Sequence, residues 1–160
     1  MAFIFGRKRR PDLQPLRPEF LAQCAMIHAS AFASGWSENE LDALISGRNV
    51  IADCATDGPD ETIAGFIISR IALDEAEILT IVVGSKFRNQ EIGRALVDHH
   101  LFNLNRAGVR SIFLEVAEDN VAALRLYRNQ GFQPVGVRKA YYSGVDGVRK
   151  SALTMAYLMP

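Results

Sequence analysis

The chain has little that would tie it to nucleic acid, membrane or metal. Its Lys+Arg and Asp+Glu totals are both 18 in 160 residues, so the formal net charge is zero. That removes the general attraction to polyphosphate on which non-specific nucleic-acid binding rests. No apolar run reaches the roughly 18 residues of a membrane-spanning helix. The two cysteines, Cys24 and Cys54, stand in no CxxC or CxxxH spacing and are too few for a structural zinc site. They read as reduced, buried small hydrophobes of a cytoplasmic protein. His28, His99 and His100 show no metal-ligand or triad spacing and read as structural, so no metal is expected. Repeats, low-complexity tracts and interior linkers are missing. The opening MAFIFGRKRRP runs apolar then basic, the reverse of a secretory signal. Residues 1–10 therefore read as a flexible basic tail and 11–160 as one domain.

What is present suits a packed core: 49% of residues are hydrophobic and 22% charged, ordinary for one globular domain. Residues 12–17 read as a short first strand. EFLAQCAMIHASAF then puts Phe20, Cys24, Ile27, His28 and Ala31 on one helical stripe. Ser37 and Glu40 form a capping box for a second helix that stops near Gly47. NVIADCA reads as a strand, and DGPDE as a turn. TIAGFIISRIA and AEILTIVVG read as an antiparallel hairpin turning at Leu73–Glu75. After the loop SKFRNQEIG, a helix from about Ile92 to Arg106 carries the stripe Ile92, Leu96, His100, Leu104. RSIFLEV is a strand, EDN caps the helix VAALRLYRNQ, and FQPVGV and SALTMAYL are late strands. Strand–helix–strand units in this half imply parallel pairing. The expected fold is α/β with a central twisted mixed sheet and helices on both faces.

The loop FRNQEIGRAL raises a specific question. Arg and Gly ahead of a helix N-terminus suit an anion, because the first N–H groups of a helix are unpaired and its dipole is positive there. GxxxxGK[ST] is missing, which excludes a P-loop, and GxGxxG is missing, which excludes a dinucleotide fold. One Gly alone is a weak signal. The carboxylate of Glu91 in the middle of the loop argues against a phosphate.

Context resolves part of this. EILTIVV, then RNQEIGRAL, then LEVAEDNVAALRLYRNQGF resemble the Gcn5-related N-acetyltransferase (GNAT) family in the right order. More narrowly they resemble its RimI type, the ribosomal-protein-alanine N-acetyltransferases. GWSENEL and RKAYYSGVDG match further segments, so the similarity spans about Leu13 to Leu158. The family's phosphate signature, [QR]-x-x-G-x-[GA], reads Arg88-Asn89-Gln90-Glu91-Ile92-Gly93 here. Glu91 stands where the first Gly belongs. A Gly in that place would permit positive φ or close approach, both of which Glu resists.

The resemblance implies a GNAT-like acyl-CoA N-acyltransferase fold with acetyl-CoA as cosubstrate. Its pantetheine arm would pair with Ile81, Val82 and Val83 in a gap between EILTIVV and SIFLEV. Its pyrophosphate would lie on Arg88, Asn89, Gln90, Glu91, Ile92, Gly93 and Arg94, and Asn120 would bond the arm. Asn120 reads equally as a helix N-cap. Direct attack of an amine on the thioester would need a base, which the resemblance assigns to Glu115. Burial beside Phe113, Leu114 and Val116 would make it a stronger base. Read without the family, Glu115 is a strand-end carboxylate paired with an Arg. The oxygen that becomes negative would take the Val83 N–H. Tyr127 would return a proton to the leaving thiolate, or simply fill a helix–sheet contact. Trp36, Tyr141 and Tyr142 either line a peptide groove or cap the core. The implied acceptor is the N-terminal alanine of a small-subunit ribosomal protein, with no direct contact to nucleic acid or membrane. Two other readings remain open: a small-molecule amine or lysine as acceptor, and a catalytically silent CoA-binding module.

Overall fold

The computed structural model describes residues 10–143 and 149–160, side chains of 140–149 excepted. The elements run β1 (Asp12–Pro15), α1 (Leu21–Ala31), α2 (Glu38–Ile45), β2 (Val50–Asp57), β3 (Thr62–Ala72) and β4 (Glu75–Val83). They continue as α3 (Ile92–Arg106), β5 (Ser111–Ala117), α4 (Val121–Gln130), β6 (Gln133–Ser143) and β7 (Arg149–Leu158). This is the order read from the sequence. The first strand is shorter than expected, because Pro18 opens a 3₁₀ turn over Pro18–Phe20. The capping box of α2 is formed in both directions, with Ser37 Oγ accepting from the Glu40 N–H and Glu40 Oε2 accepting from the Ser37 N–H. The β3–β4 hairpin turns at Leu73, whose φ is +57°.

The strands of the described residues join one seven-stranded sheet in the order β1-β2-β3-β4-β5-β7-β6. Among the described pairings only β4–β5 is parallel. The expectation of parallel pairing thus holds for β4–α3–β5 and fails for β5–α4–β6. There β7 inserts antiparallel between the two strands. Burial gives the reason. β7 carries the buried Ala152 and Met155, while β6 is exposed along Gln133–Lys139. The strand with apolar residues to bury takes the inner place, and the polar one takes the edge.

Each face of the sheet has its own core. α3 and α4 cover one built on Leu96, Leu104, Ile112, Tyr127, Phe132 and Met155. α1 and α2 cover the other, built on Phe20, Leu21, Cys24, Leu41, Cys54 and Phe66. The whole α3 stripe is buried, His100 included. The α1 stripe ends at His28; Ile27 is half-buried and Ala31 exposed. His28 is structural: its Nδ1 accepts the Trp36 N–H at 3.0 Å and its ring stacks on Trp36 at 4.7 Å.

One polar knot lies inside the α3 face. His100 Nδ1 lies 2.6 Å from Asp53 Oδ2, and its Nε2 lies 2.7 Å from Ser69 Oγ. Asn103 Nδ2 donates to Asp53 Oδ1 at 3.0 Å. This is the residue set of a Ser–His–Asp triad, which no spacing in the sequence showed. Ser69 and His100 are 0% exposed and Asp53 2%, so no substrate reaches them. The knot ties α3 to β2 and β3.

Candidate active site

β4 and β5 begin as a regular parallel pair and then part. Their register runs Glu75↔Ser111, Ala76↔Ile112, Glu77↔Phe113, and pairing ends there. Yet β4 continues to Val83 and β5 to Ala117. A bulge accompanies the separation. Ile68 of β3 faces Thr80 and Ser69 faces Ile78, leaving Leu79 as the extra residue of β4. Bulges bend the strand that carries them, and here the bend turns β4 out of its ladder with β5. The result is an open seam edged by main-chain groups. Gly84 N–H donates to Ala64 of β3 at 2.8 Å. Strand alternation therefore aims the preceding N–H, that of Val83, toward the seam.

A cleft of about 900 Å³ opens on the α3–α4 side of the seam. Ile81, Val82 and Val83 form one wall, and Arg88, Asn89, Glu91, Ile92, Gly93 and Arg94 close one end. The first bond of the α3 ladder is Ala95 N–H to the Glu91 carbonyl, at 3.0 Å. The N–H groups of Ile92, Gly93 and Arg94 therefore precede the ladder and lie at the positive end of the helix. A Cβ on Gly93 would come within 3.3 Å of Leu126 Cδ2 and 3.8 Å of Val83 Cγ2, so a small residue keeps helix and strand close here. Asn120 caps α4, its Oδ1 accepting from the Ala123 N–H at 3.2 Å. It also lines the cleft. Gln90, expected in the loop, turns back instead to donate to the Lys86 carbonyl at 3.1 Å.

Tyr127 sits deep in this cleft, 6% exposed, edge-on to Phe132. Burial pushes its hydroxyl up to about 12 from an ordinary 10.0. Proton transfer to a thiolate of pKa ~8.5 is uphill from the ordinary value and more so from the raised one, which favours a hydroxyl that donates a hydrogen bond over one that returns its proton. The same burial pushes the Cys24 and Cys54 thiols, both free and 0% exposed, up to about 12 from 9.0. Groups whose folded pKa is raised stabilise the fold fully below the unfolded value, and that contribution is lost as pH rises through the folded one. Stability should therefore fall between pH 9 and 12. Tyr127→Phe should flatten the part above pH 10, measured by thermal melts under reducing conditions. A wild-type midpoint that does not change over this range would contradict the assignment.

Glu115 stands on the opposite face of β5 from Leu114 and Val116, by strand alternation. It lines a smaller cleft, of about 450 Å³, with Trp36, Glu40, Leu44, Arg70, Glu77 and Leu79. The dry apolar pocket expected for it is not formed. Its side chain is 25% exposed, and Arg138 grips it, Nε at 3.3 Å from Oε1 and Nη1 at 3.5 Å from Oε2. The plain sequence reading, a carboxylate paired with an Arg, is thus realised. Trp36 both lines this cleft and stacks on His28. The side chains of Tyr141 and Tyr142 lie outside the described residues. Arg138, Arg70 and Glu77 were missed from sequence: Glu77 and Arg138 stand at the first positions of EILTIVV and RKAYYSGVDG, and only the pairing of distant strands gives them their place at the cleft.

Two clefts meeting at a splayed strand pair, one ending at a helix N-terminus, suit a long anionic thioester on one side and an amine on the other. Residues 21–132 match the model of the acetyltransferase (GNAT) family. The chain belongs to that family. It is an acetyl-CoA-dependent N-acetyltransferase with the GNAT fold. Among its relatives, ribosomal protein bS18-alanine N-acetyltransferase of Escherichia coli strain K12 is 35% identical over 130 residues, 81% of this chain and 85% of that one. A putative enzyme of the same name from Bacillus subtilis strain 168 is 29% identical over 85% of this chain and 89% of its own length. The crystal structure of the Escherichia coli ribosomal-protein-S18-alanine N-acetyltransferase superposes with a TM-score of 0.84 at 32% identity, covering 92% of this chain and 93% of the other.

The GNAT cleft fits its cosubstrate in its main-chain parts, an unpaired strand edge and the N–H groups at the start of α3, and in the two arginines that line it, Arg88 and Arg94. Glu91 is the exception, and its geometry explains why the family signature has Gly. Its φ is +63° and ψ +18°, the left-handed region that costs an ordinary residue ~1–2 kcal/mol. Its side chain makes no capping bond. Glu91→Gly should therefore raise stability by about 1 kcal/mol, a gain of about 2–4 °C in melting temperature. It should also tighten acetyl-CoA binding by at most ~3 kcal/mol in calorimetry, since a carboxylate leaves the anion's end of the cleft. Weaker binding would mean that Glu91 assists the cosubstrate.

Proposed function

We propose that this enzyme acetylates the N-terminal α-amine of a protein, the alanine of a small-subunit ribosomal protein, in the bacterial cytoplasm. The protein would work as a single catalytic domain behind its basic tail. The observation that carries the reading is the seam. It has a carboxylate on the face of the smaller cleft and a buried phenol in the larger one, in a chain 35% identical to a bS18-alanine N-acetyltransferase.

Acetyl-CoA supplies the thioester whose acetyl group the amine takes. Main-chain groups of Ile81, Val82 and Val83 would hold its arm, assisted by Asn120. The N–H groups from Asn89 to Arg94, with the Arg88 side chain, would hold its phosphates. The acceptor would enter the smaller cleft beside Trp36, with Tyr141 and Tyr142 on β6 as its further proposed contacts. An α-amine has a pKa near ~8, so a modest base can remove its proton at neutral pH. Glu115 takes that proton at a carboxylate oxygen, and Arg138 fixes the direction of the carboxylate. The Val83 N–H faces the seam and can donate to an oxygen that gains negative charge there. Tyr127 O–H, kept protonated by burial, donates toward sulfur from the other face.

The test is transfer of acetyl from acetyl-CoA to an alanine-starting ribosomal peptide, read by thiol release and mass spectrometry. Acetylation confined to the α-amine supports the reading. Turnover of free amines or lysine side chains in preference would replace the acceptor. Tight acetyl-CoA binding without any turnover would make the protein a binding module.

A further inference from the structure

The two clefts carry opposite charge. Among the residues lining the larger one, Arg88, Glu91, Arg94 and Arg125 are charged, and all but Glu91 are cations. In the smaller one the charged residues are Glu40, Arg70, Glu77 and Glu115, and all but Arg70 are anions. The formal net charge of the chain is zero, so the larger cleft is a local concentration of positive charge, which attracts an anion. Arg88 and Arg94 flank the start of α3. Arg125 comes from α4 instead, and the pyrophosphate loop gives it no role.

Arg125 is exposed, and among the described residues its guanidinium makes no ion pair or hydrogen bond. Its helix neighbours three and four residues away are Val121, Ala122, Arg128 and Asn129, so no acid on α4 is placed to pair with it. Ala122, Arg125 and Asn129 share one stripe of the helix, and all three line the larger cleft. α4 is held against the first turn of α3 by the residues next to Arg125 and Asn129. A Cβ on Gly93 would lie 3.3 Å from Leu126 Cδ2, and Gln130 Nε2 donates to the Arg94 carbonyl at 3.4 Å. Arg125 and Asn129 therefore stand beside the helix start whose N–H groups suit the pyrophosphate.

Coenzyme A carries a third phosphate, on the 3′ oxygen of its ribose, with only that sugar between it and the pyrophosphate. As a phosphate monoester it holds close to two negative charges at neutral pH. The N–H groups at α3 take the pyrophosphate and leave this phosphate to side chains. We propose that Arg125 binds the 3′-phosphate of the cosubstrate, its guanidinium donating to two phosphate oxygens, with the Asn129 amide as a further donor. The enzyme then reads the nucleotide end of its cosubstrate as well as the thioester, and prefers coenzyme A to its 3′-dephospho form. This rests on the placing of the pyrophosphate at α3 under the proposed function.

Calorimetry with coenzyme A and with 3′-dephospho-coenzyme A tests it in the full chain. Wild type should bind coenzyme A about tenfold more tightly than the dephospho form. Arg125→Gln, which suits an exposed helix position, should lose about that factor for coenzyme A, keep its affinity for the dephospho form, and melt as wild type does. Arg125→Lys should keep part of the preference, since an ammonium retains the charge without the fork. Equal affinity of wild type for the two ligands would overturn the proposal. So would an Arg125→Gln variant that weakens both ligands alike, which would move Arg125 to the pyrophosphate. Arg88→Gln checks the placing on which the proposal rests, and should weaken both ligands by the same factor. If it weakens neither, that placing falls and the proposal with it.

Discussion

Glu115→Gln should slow acetyl transfer to an alanine-starting peptide by about 10²–10⁴-fold, the range that general-base catalysis supplies. Gln has nearly the same shape and can still lie against Arg138, but it takes no proton at neutral pH. Acetyl-CoA affinity should not change, because Glu115 faces the smaller cleft and the cosubstrate residues line the larger one. Stability should change by no more than about 1 kcal/mol, since the Arg138 pair is partly exposed and such pairs contribute little. Raising the pH should recover part of the lost rate, because more of the α-amine is then already neutral. A variant within about threefold of wild type at neutral pH would remove Glu115 from the proton path. The two unassigned carboxylates of the same cleft, Glu40 and Glu77, would then be tested. Of these Glu77 comes first, because Glu40 is engaged in the α2 cap.

Asp53→Ala should destabilise the fold by about 3–5 kcal/mol, the usual cost of breaking a buried, hydrogen-bonded charged group. For a chain of this length that is a drop of roughly 10 °C or more in melting temperature. The buried His100, at 2.6 Å, and the half-buried Asn103 amide, at 3.0 Å, lose this partner at once. Asp53→Asn should cost less, since it fills the same space and keeps one acceptor. A loss below about 1 kcal/mol for the alanine variant would show that the knot contributes little to stability. Activity measured well below the melting temperature should be near normal, because Asp53 is enclosed by the core, at 2% exposure, and lines neither cleft.

Much of the site was legible along the chain because its parts are local. The capping box at Ser37 and Glu40, the N-cap at Asn120 and the stop at Gly131 each depend on neighbours within a few residues. So does the unusual Glu91. The sequence pattern showed a residue where Gly belongs, and the backbone explains it with a φ of +63°. Hydrophobic periodicity likewise located the buried stripe of α3.

Other parts depend on which strands become neighbours. Arg138 reaches Glu115 from 23 residues away because β7 threads between β5 and β6. Ser69, Asp53 and His100 converge from two strands and a helix. The bulge at Leu79, which turns β4 out of its ladder with β5, depends on register with β3.

By itself, the sequence determined the elements and their order, the family and the residue types available for chemistry, because capping, periodicity and motif spacing are short-range properties. The tertiary structure alone decided the company those residues keep. It paired Glu115 with Arg138, drove Tyr127 toward a hydroxyl that holds its proton, and opened β4 from β5. Burial and strand order are set by the whole sheet, and they control how strongly a side chain holds a charge or a proton.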